Sequence, residues 1–127
     1  MARQTITRGL LIRTPHIDRI FAGRKTWEIR GSRTSVTGPI GLIRSGSGQV
    51  VGTCEVVGVI GPLTLADLKK NARKAGFTAG EIAGLRRLRY PQTFAWVLRN
   101  AKPLKNLRSY NHPSGAVRWV KVPPFTA

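Results

Sequence analysis

Acidic side chains are scarce in this 127-residue chain: five Asp and Glu face 22 Lys and Arg, which leaves a formal net charge of +17. Because so few carboxylates can pair with them, most of these cations must stand at the surface without an acidic partner. A charge of this size favours a polyanionic partner. The cations are scattered from Arg3 to Lys121 rather than collected on one amphipathic helix, which argues against a membrane surface. Nucleic acid is therefore the predicted partner, and a merely solvated basic surface is the alternative.

Cysteine is almost absent, long apolar runs are missing, and no leader segment is expected. The single cysteine, Cys54, excludes an internal disulfide and a cysteine metal framework, and its alternating apolar surroundings predict a buried structural thiol. No apolar run approaches the ~20 residues of a membrane helix. The first residues lack the apolar region of a signal peptide. The expectation is a cytoplasmic protein without membrane association, bound metal or cofactor.

The length and the apolar content predict one folded domain over residues 1–127. This length is close to the commonest domain size, and 41% of the residues are hydrophobic, which is ordinary for a globular protein and too high for a disordered one. No repeat, long linker or low-complexity segment divides the chain.

Strand-like segments alternate along most of the sequence with short polar turns. Apolar stretches bounded by Gly, Pro and Ser predict strands. The predicted strands are residues 9–13, 26–30, 39–44, 50–57, 94–98 and 116–122.

Helical patterns occur at one early position and in the middle of the chain. Thr14 is the expected N-cap of a short helix that has Pro15 in its first turn and runs to about Ala22. Two capping-box patterns, at residues 64–67 and 78–81, precede helical segments at 65–76 and 80–88. The order predicts an α+β fold, a small mixed β-barrel with a short N-terminal helix and a two-helix insertion.

The densest polar group of the sequence is GRKTWEIR, residues 23–30. Strand alternation points Trp27 into the core and places Glu28 and Arg30 on the opposite face, with Lys25 at the strand entrance. A lysine among other cations has a lowered pKa and can act as a base or nucleophile. The alternative is that a Glu28–Arg30 pair only fixes the strand and Lys25 is solvated.

Other candidate residues carry weaker signals. A cluster of cations in the first helix of the insertion suits phosphate contact, although a solvated face is the alternative; it comprises Lys69, Lys70, Arg73 and Lys74. Further arginines follow in the second helical segment. Trp96 and Trp119 lie in alternating strands, which favours the core or a cleft wall over base stacking. His16 and His112 are too far apart in sequence, without carboxylate or thiol neighbours, to predict a metal site.

Five segments of the sequence together resemble the ASCH domain. Their signature, G-x-K-T-x-E-x-R, is matched by residues 23–30. The segments are residues 23–34, 38–42, 51–59, 94–104 and 112–122. The resemblance implies a PUA-like β-barrel with helices at one side, and a cleft lined by Lys25, Glu28 and Arg30. It also implies an association with RNA.

Two functions are compatible with this resemblance. The first is an RNA or single-stranded nucleic-acid binding module, in which the cleft residues Lys25, Glu28 and Arg30 act with Arg24, Arg13 and the basic helices. The second is an RNA-processing enzyme in the same cleft, with Lys25 and Glu28 as catalytic residues. ASCH proteins include enzymes that hydrolyse N4-acetylcytidine, and ribonuclease activity is associated with others. The enzyme would therefore be a metal-independent ribonuclease or a hydrolase of modified nucleosides.

Overall fold

A computed structural model describes residues 4–126, so Arg3 lies outside the described part of the chain. The described residues form six strands and three short helices. In chain order these are β1 (Thr5–Ile12), α1 (His16–Phe21), β2 (Trp27–Arg30), β3 (Gly38–Arg44), β4 (Gln49–Ile60), α2 (Leu65–Lys70), α3 (Ala79–Ala83), β5 (Phe94–Ser109) and β6 (Trp119–Thr126).

All six strands belong to one sheet, in the order β2-β5-β4-β3-β1-β6. The β1–β3 pair is parallel and the other pairs are antiparallel. This confirms the mixed α+β class. Within residues 4–126, β2 and β6 remain unpaired edges of an open sheet, so the predicted closed barrel is not confirmed. Pro123 and Pro124 fall in the edge strand β6, where a missing backbone donor is tolerated.

The apolar residues of β1 and β3 are buried on both faces of the sheet. Leu10 and Ile12 pack into one core cluster together with Trp96, whereas Leu11 and Ile43 pack into a second cluster. A strand covered on both sides carries a continuous apolar run rather than an alternating one. The sequence GLLI at the end of β1 is therefore explained by apolar packing on both of its faces.

The helices of the insertion begin where the capping boxes predict. The hydroxyl of Thr64 accepts from the Asp67 amide at 3.0 Å, and the hydroxyl of Thr78 accepts from the Glu81 amide at 3.2 Å. Both helices are shorter than predicted. Because α2 ends at Lys70, half of the predicted basic helix is a series of turns.

The N-cap of α1 differs from the prediction. Pro15 occupies the N-cap position and no side chain caps the helix. Thr14, the expected cap, instead accepts a hydrogen bond from the Arg44 guanidinium at 2.9 Å. The long-range contact with β3 outweighs the local capping preference of Thr14.

Strand β5 is the largest departure from the sequence-based expectation, because it continues eleven residues beyond Leu98 to Ser109. The added residues are mostly polar and exposed, so they lack the alternation by which a strand is found in a sequence. Their pairing with β4 makes them a strand.

Cys54 is 2% exposed, and burial raises the pKa of its thiol to about 12. This confirms the buried thiol predicted from its apolar surroundings. Among residues 4–126, no helix has the length and apolar character needed to cross a membrane.

Candidate functional site

A cavity of about 590 Å³ opens where β1, α1 and β2 meet the two-helix insertion. Its volume lies within the usual range for small-ligand sites. Apolar side chains such as Leu11 and Phe77 form part of its wall, and the charged side chains of Lys25, Glu28 and Arg30 form another part. The structure therefore brings the three signature residues to one concave surface.

Glu28 lies between the two cations and holds each by a different oxygen. Its Oε2 accepts from Arg30 Nη2 at 2.6 Å and from Arg30 Nε at 2.9 Å. Its Oε1 lies 3.5 Å from Lys25 Nζ. The two hydrogen bonds from one guanidinium orient the carboxylate, and charge-assisted pairs of this kind are the stronger ones. The geometry leaves Oε1 with further capacity to accept a hydrogen bond.

Lys25 is 3% exposed, so it is not the solvated lysine of the alternative interpretation. Its Nζ donates to the Ala75 carbonyl at 2.8 Å, fifty residues further along the chain. Gly76 makes this approach possible, because a Cβ added there would lie 2.6 Å from Lys25 Cβ. Gly76 also has a φ of +80°, which side chains rarely adopt.

Burial lowers the pKa of Lys25 from its ordinary value, against the opposing effect of Glu28. Desolvation disfavours a buried ammonium, whereas an adjacent carboxylate favours it. Arg30 and Arg19 add smaller contributions that also lower this pKa. Lys25 thus loses its proton more readily than a surface lysine does.

His16 is a cavity residue that the sequence does not identify as one. It lies at the start of α1 and lines the same cavity as Lys25. Its Nδ1 is buried and has no hydrogen-bond partner among the described residues. Burial lowers the pKa of the imidazole, and the nearby Lys25 lowers it further. No sequence pattern marks this histidine, because its neighbours in the cavity come from other segments.

The remaining predicted binding residues divide into two groups. Arg13 lines the cavity, together with Arg87 and Arg89, two arginines that lie beyond the end of α3. The other predicted cations are exposed and do not line the cavity. They are Arg24, Lys69, Lys70, Arg73 and Lys74.

Trp27 is 5% exposed, and the side chains of β2 alternate between its faces as predicted. The larger core cluster, however, lies on the face of β2 opposite Trp27. Trp27 packs in a small cluster with Leu63 and Ala95. Glu28 pairs across the sheet with Trp96, a fully buried member of the first core cluster. The carboxylate and the main core therefore share a face of β2, which explains why Glu28 is only 7% exposed.

The two other tryptophans pack against each other. Trp96 and Trp119 stack with ring centroids 5.7 Å apart, and Trp96 Nε1 donates to the Ser32 carbonyl. The Arg30 guanidinium lies 5.6 Å from the Trp96 ring centroid. Trp96 belongs to the core and helps to hold Arg30 in place. No group of three or more potential metal ligands occurs in the part of the chain that the structure describes.

Comparison with known proteins supports the resemblance to the ASCH domain. The model of the ASCH domain matches residues 10–108. No curated protein sequence matches the chain.

Solved structures of an ASCH protein from Zymomonas mobilis resemble this fold. One of them is 15% identical, with a TM-score of 0.60 over 76% of this chain and 68% of that chain. A serine-to-alanine variant of that protein is 14% identical, with a TM-score of 0.63 over 91% of this chain and 87% of its own. At this identity the structures show a shared fold. Because the family model covers most of the sequence, the chain belongs to the ASCH domain family.

Proposed function

We propose that this protein binds RNA, or another single-stranded nucleic acid, and accepts one nucleotide in the cavity beside Lys25, Glu28 and Arg30. The ASCH family is generally linked to nucleic-acid binding. The observation that carries the proposal is a row of three charged side chains along the wall of a cavity with further arginines around it.

The cavity offers separate partners to a base and to its phosphates. Glu28 Oε1 accepts from the exocyclic amine of a base, since its other oxygen is already occupied by Arg30. The apolar wall contacts the face of the base. Arg13, Arg87 and Arg89 reach the flanking phosphates, to which guanidinium groups bind well.

The exposed cations of the insertion contribute in a less specific way. Lys69, Lys70, Arg73 and Lys74 lie outside the cavity and attract the backbone of a strand whatever its sequence. Arg24 lies in the turn after α1, close to the entrance of β2, and adds to the same field.

A matched pair of arginine variants tests the cavity. Arg87 lines the cavity, whereas its neighbour Arg86 does not. Arg87→Gln should weaken binding of a labelled RNA of about four nucleotides on the order of tenfold, as expected for a lost charged contact. Arg86→Gln removes the same charge and should change the affinity less than twofold. Equal losses of affinity in the two variants would mean that binding depends only on the total charge of the protein.

One observation favours an RNA-processing enzyme as the second candidate function. Burial lowers the pKa of both Lys25 and His16, which lie at one cavity. Groups with shifted pKa values in a cleft are candidates for proton transfer. In this candidate Lys25 is the base or nucleophile and Glu28 carries the proton.

Assays without metal separate the two candidates. The pure protein is incubated with labelled RNA and, separately, with acylated nucleosides. Lys25→Arg retains the positive charge but does not release its proton near neutral pH. Turnover by the parent that disappears in this variant, with binding retained, supports the enzyme. Binding in both proteins without turnover in either supports the binding module.

A further inference from the structure

The final third of the sequence contains no acidic side chain. Glu81 is the last one, and nine Lys and Arg follow it before the end of the chain. Four of these nine occur at every third position of β5, and we call them the β5 cation row: Arg99, Lys102, Lys105 and Arg108. All four are exposed.

Irregularities in the sheet bring three of these cations, Arg99, Lys102 and Arg108, to one side of it. Side chains three residues apart on a regular strand point to opposite faces. Here the ladder shifts register, because Arg99 lies opposite Glu55 and Lys102 opposite Thr53, two residues apart on β4. Asn100, with a φ of +56°, is the extra residue between them. Arg99 and Lys102 therefore share the face of Glu55 and Thr53, which points away from the core cluster of Cys54.

A second register shift keeps the far end of the row on that same side. Arg108 lies opposite Val50, which belongs to the second core cluster, on the other side of the sheet from the first. The Arg108 guanidinium packs 4.6 Å from the centroid of the Phe125 ring, a member of that cluster. Lys105 lies in the bulged stretch between the two paired regions. The row spans up to about 30 Å along β5.

Little acidic charge opposes this row. Glu55 is its single ion-pair partner in the described residues, at 3.3 Å from Arg99, whose side chain remains 65% exposed. An exposed pair of this kind is weak. The Arg108 end of the row lies beside the turn that leads from the cavity residue Ser45 into β4, because Ser109 pairs with Gln49, the first residue of β4.

We propose that the β5 cation row is a second nucleic-acid contact, which binds the phosphates of the same strand whose nucleotide occupies the cavity. This inference rests on the proposed function. A row of cations along an extended strand complements the row of phosphates in a single-stranded nucleic acid. An RNA too short to reach beyond the cavity does not use the row, whereas a longer RNA does.

The test compares two variants of equal charge on short and long RNA. One combines Lys102→Gln, Lys105→Gln and Arg108→Gln, and the control combines Arg8→Gln, Arg86→Gln and Lys121→Gln. Affinity is measured by fluorescence anisotropy with RNAs of about four and about 16 nucleotides, the range of single-strand site sizes. Thermal unfolding of both variants confirms that they are folded.

For the long RNA, the β5 variant should bind about 10- to 50-fold more weakly than the parent near 0.15 M salt. The slope of its log affinity against log salt concentration should be about 2 smaller in magnitude than that of the parent. Its affinity for the short RNA, and that of the control variant for both RNAs, should stay within about threefold. Equal losses in the two variants, or an equal loss for short and long RNA, would overturn the row as a contact.

Failure of the proposed function has a different signature. If Arg87→Gln leaves the binding of short RNA unchanged while the β5 variant binds long RNA more weakly, the β5 cation row is supported as a contact. The proposed nucleotide site in the cavity is then wrong. If the parent binds neither RNA, both proposals are wrong.

Discussion

Glu28 is the residue on which the buried Lys25 and the partly buried Arg30 depend. From the sequence, Glu28→Gln appears nearly neutral for stability, because it keeps the shape of the side chain. The structure alters that expectation, since the change removes the single acidic partner that Lys25 and Arg30 have among residues 4–126. Taking away one partner of a buried pair leaves the other charges uncompensated.

We therefore expect Glu28→Gln to lower the free energy of unfolding by about 2 kcal/mol. It should also weaken RNA binding at the cavity.

Trp27→Ala should cost about 3–5 kcal/mol as a large-to-small core change, although its cluster is small. Denaturant unfolding measures both values. A Trp27→Ala protein as stable as the parent would contradict its burial.

His16 gives the stability of the protein a pH dependence that follows from its location. Burial places the pKa of the folded-state imidazole below its unfolded value of about 6.5. The unfolded state then binds more protons, so the stabilising effect of the neutral imidazole is fully present above this value and declines as the pH falls.

The free energy of unfolding should accordingly decrease between about pH 7 and pH 5. His16→Gln should make this decrease shallower. Equal slopes for the parent and His16→Gln would show that the partly buried imidazole keeps its ordinary pKa in the folded protein.

At the scale of the elements, the segment after α2 is the part that closes the site over Lys25. The Lys74 carbonyl accepts from the Thr26 and Trp27 amides, and the Ala75 carbonyl accepts from Lys25 Nζ. This segment is a series of turns rather than the helix that its sequence predicts. In a helix both carbonyls would point along the helix axis, so the turns are what direct them to β2 and Lys25.

Gly76→Ala tests this closure, with Gly46→Ala as its control. Both glycines have positive φ values, +80° and +85°, but a Cβ would contact Lys25 at Gly76 and nothing within 4 Å at Gly46. Gly76→Ala should cost at least about 1 kcal/mol more, because overpacking adds to the backbone strain. Thermal unfolding measures the difference, and RNA binding should weaken in Gly76→Ala alone. Equal costs at the two sites would show that Lys25 does not pack on Gly76.

At the scale of the whole molecule, the charge of +17 makes the salt response the most direct test of the predicted partner. If roughly 4–6 phosphates of a single strand are neutralised, raising salt from 50 to 200 mM should weaken binding on the order of a hundredfold.

The exposed cations of the insertion contribute to this response. Replacing Lys69, Lys70, Arg73 and Lys74 with Ala should lower the affinity for all RNA sequences alike. It should also reduce the slope of log affinity against log salt concentration. A slope that stays unchanged would identify those four residues as a solvated face. A parent protein without any salt dependence would exclude an electrostatic nucleic-acid interface.

The sequence by itself determined the features that depend on neighbours along the chain. Strand alternation placed Trp27 and Glu28 on opposite faces of β2, the capping boxes located the starts of α2 and α3, and the composition gave the charge. The family signature identified Lys25, Glu28 and Arg30 as one group. Each of these is a local or compositional property, so no knowledge of the fold was needed.

Only the tertiary structure decided how these residues are used. Lys25 is buried because a carbonyl fifty residues away approaches it, and His16 meets it across the cavity. The polar half of β5 is a strand because β4 pairs with it, and Arg99, Lys102 and Arg108 share a side because that ladder shifts register. Contacts between distant segments set each of these features, and their partners are not adjacent in the sequence.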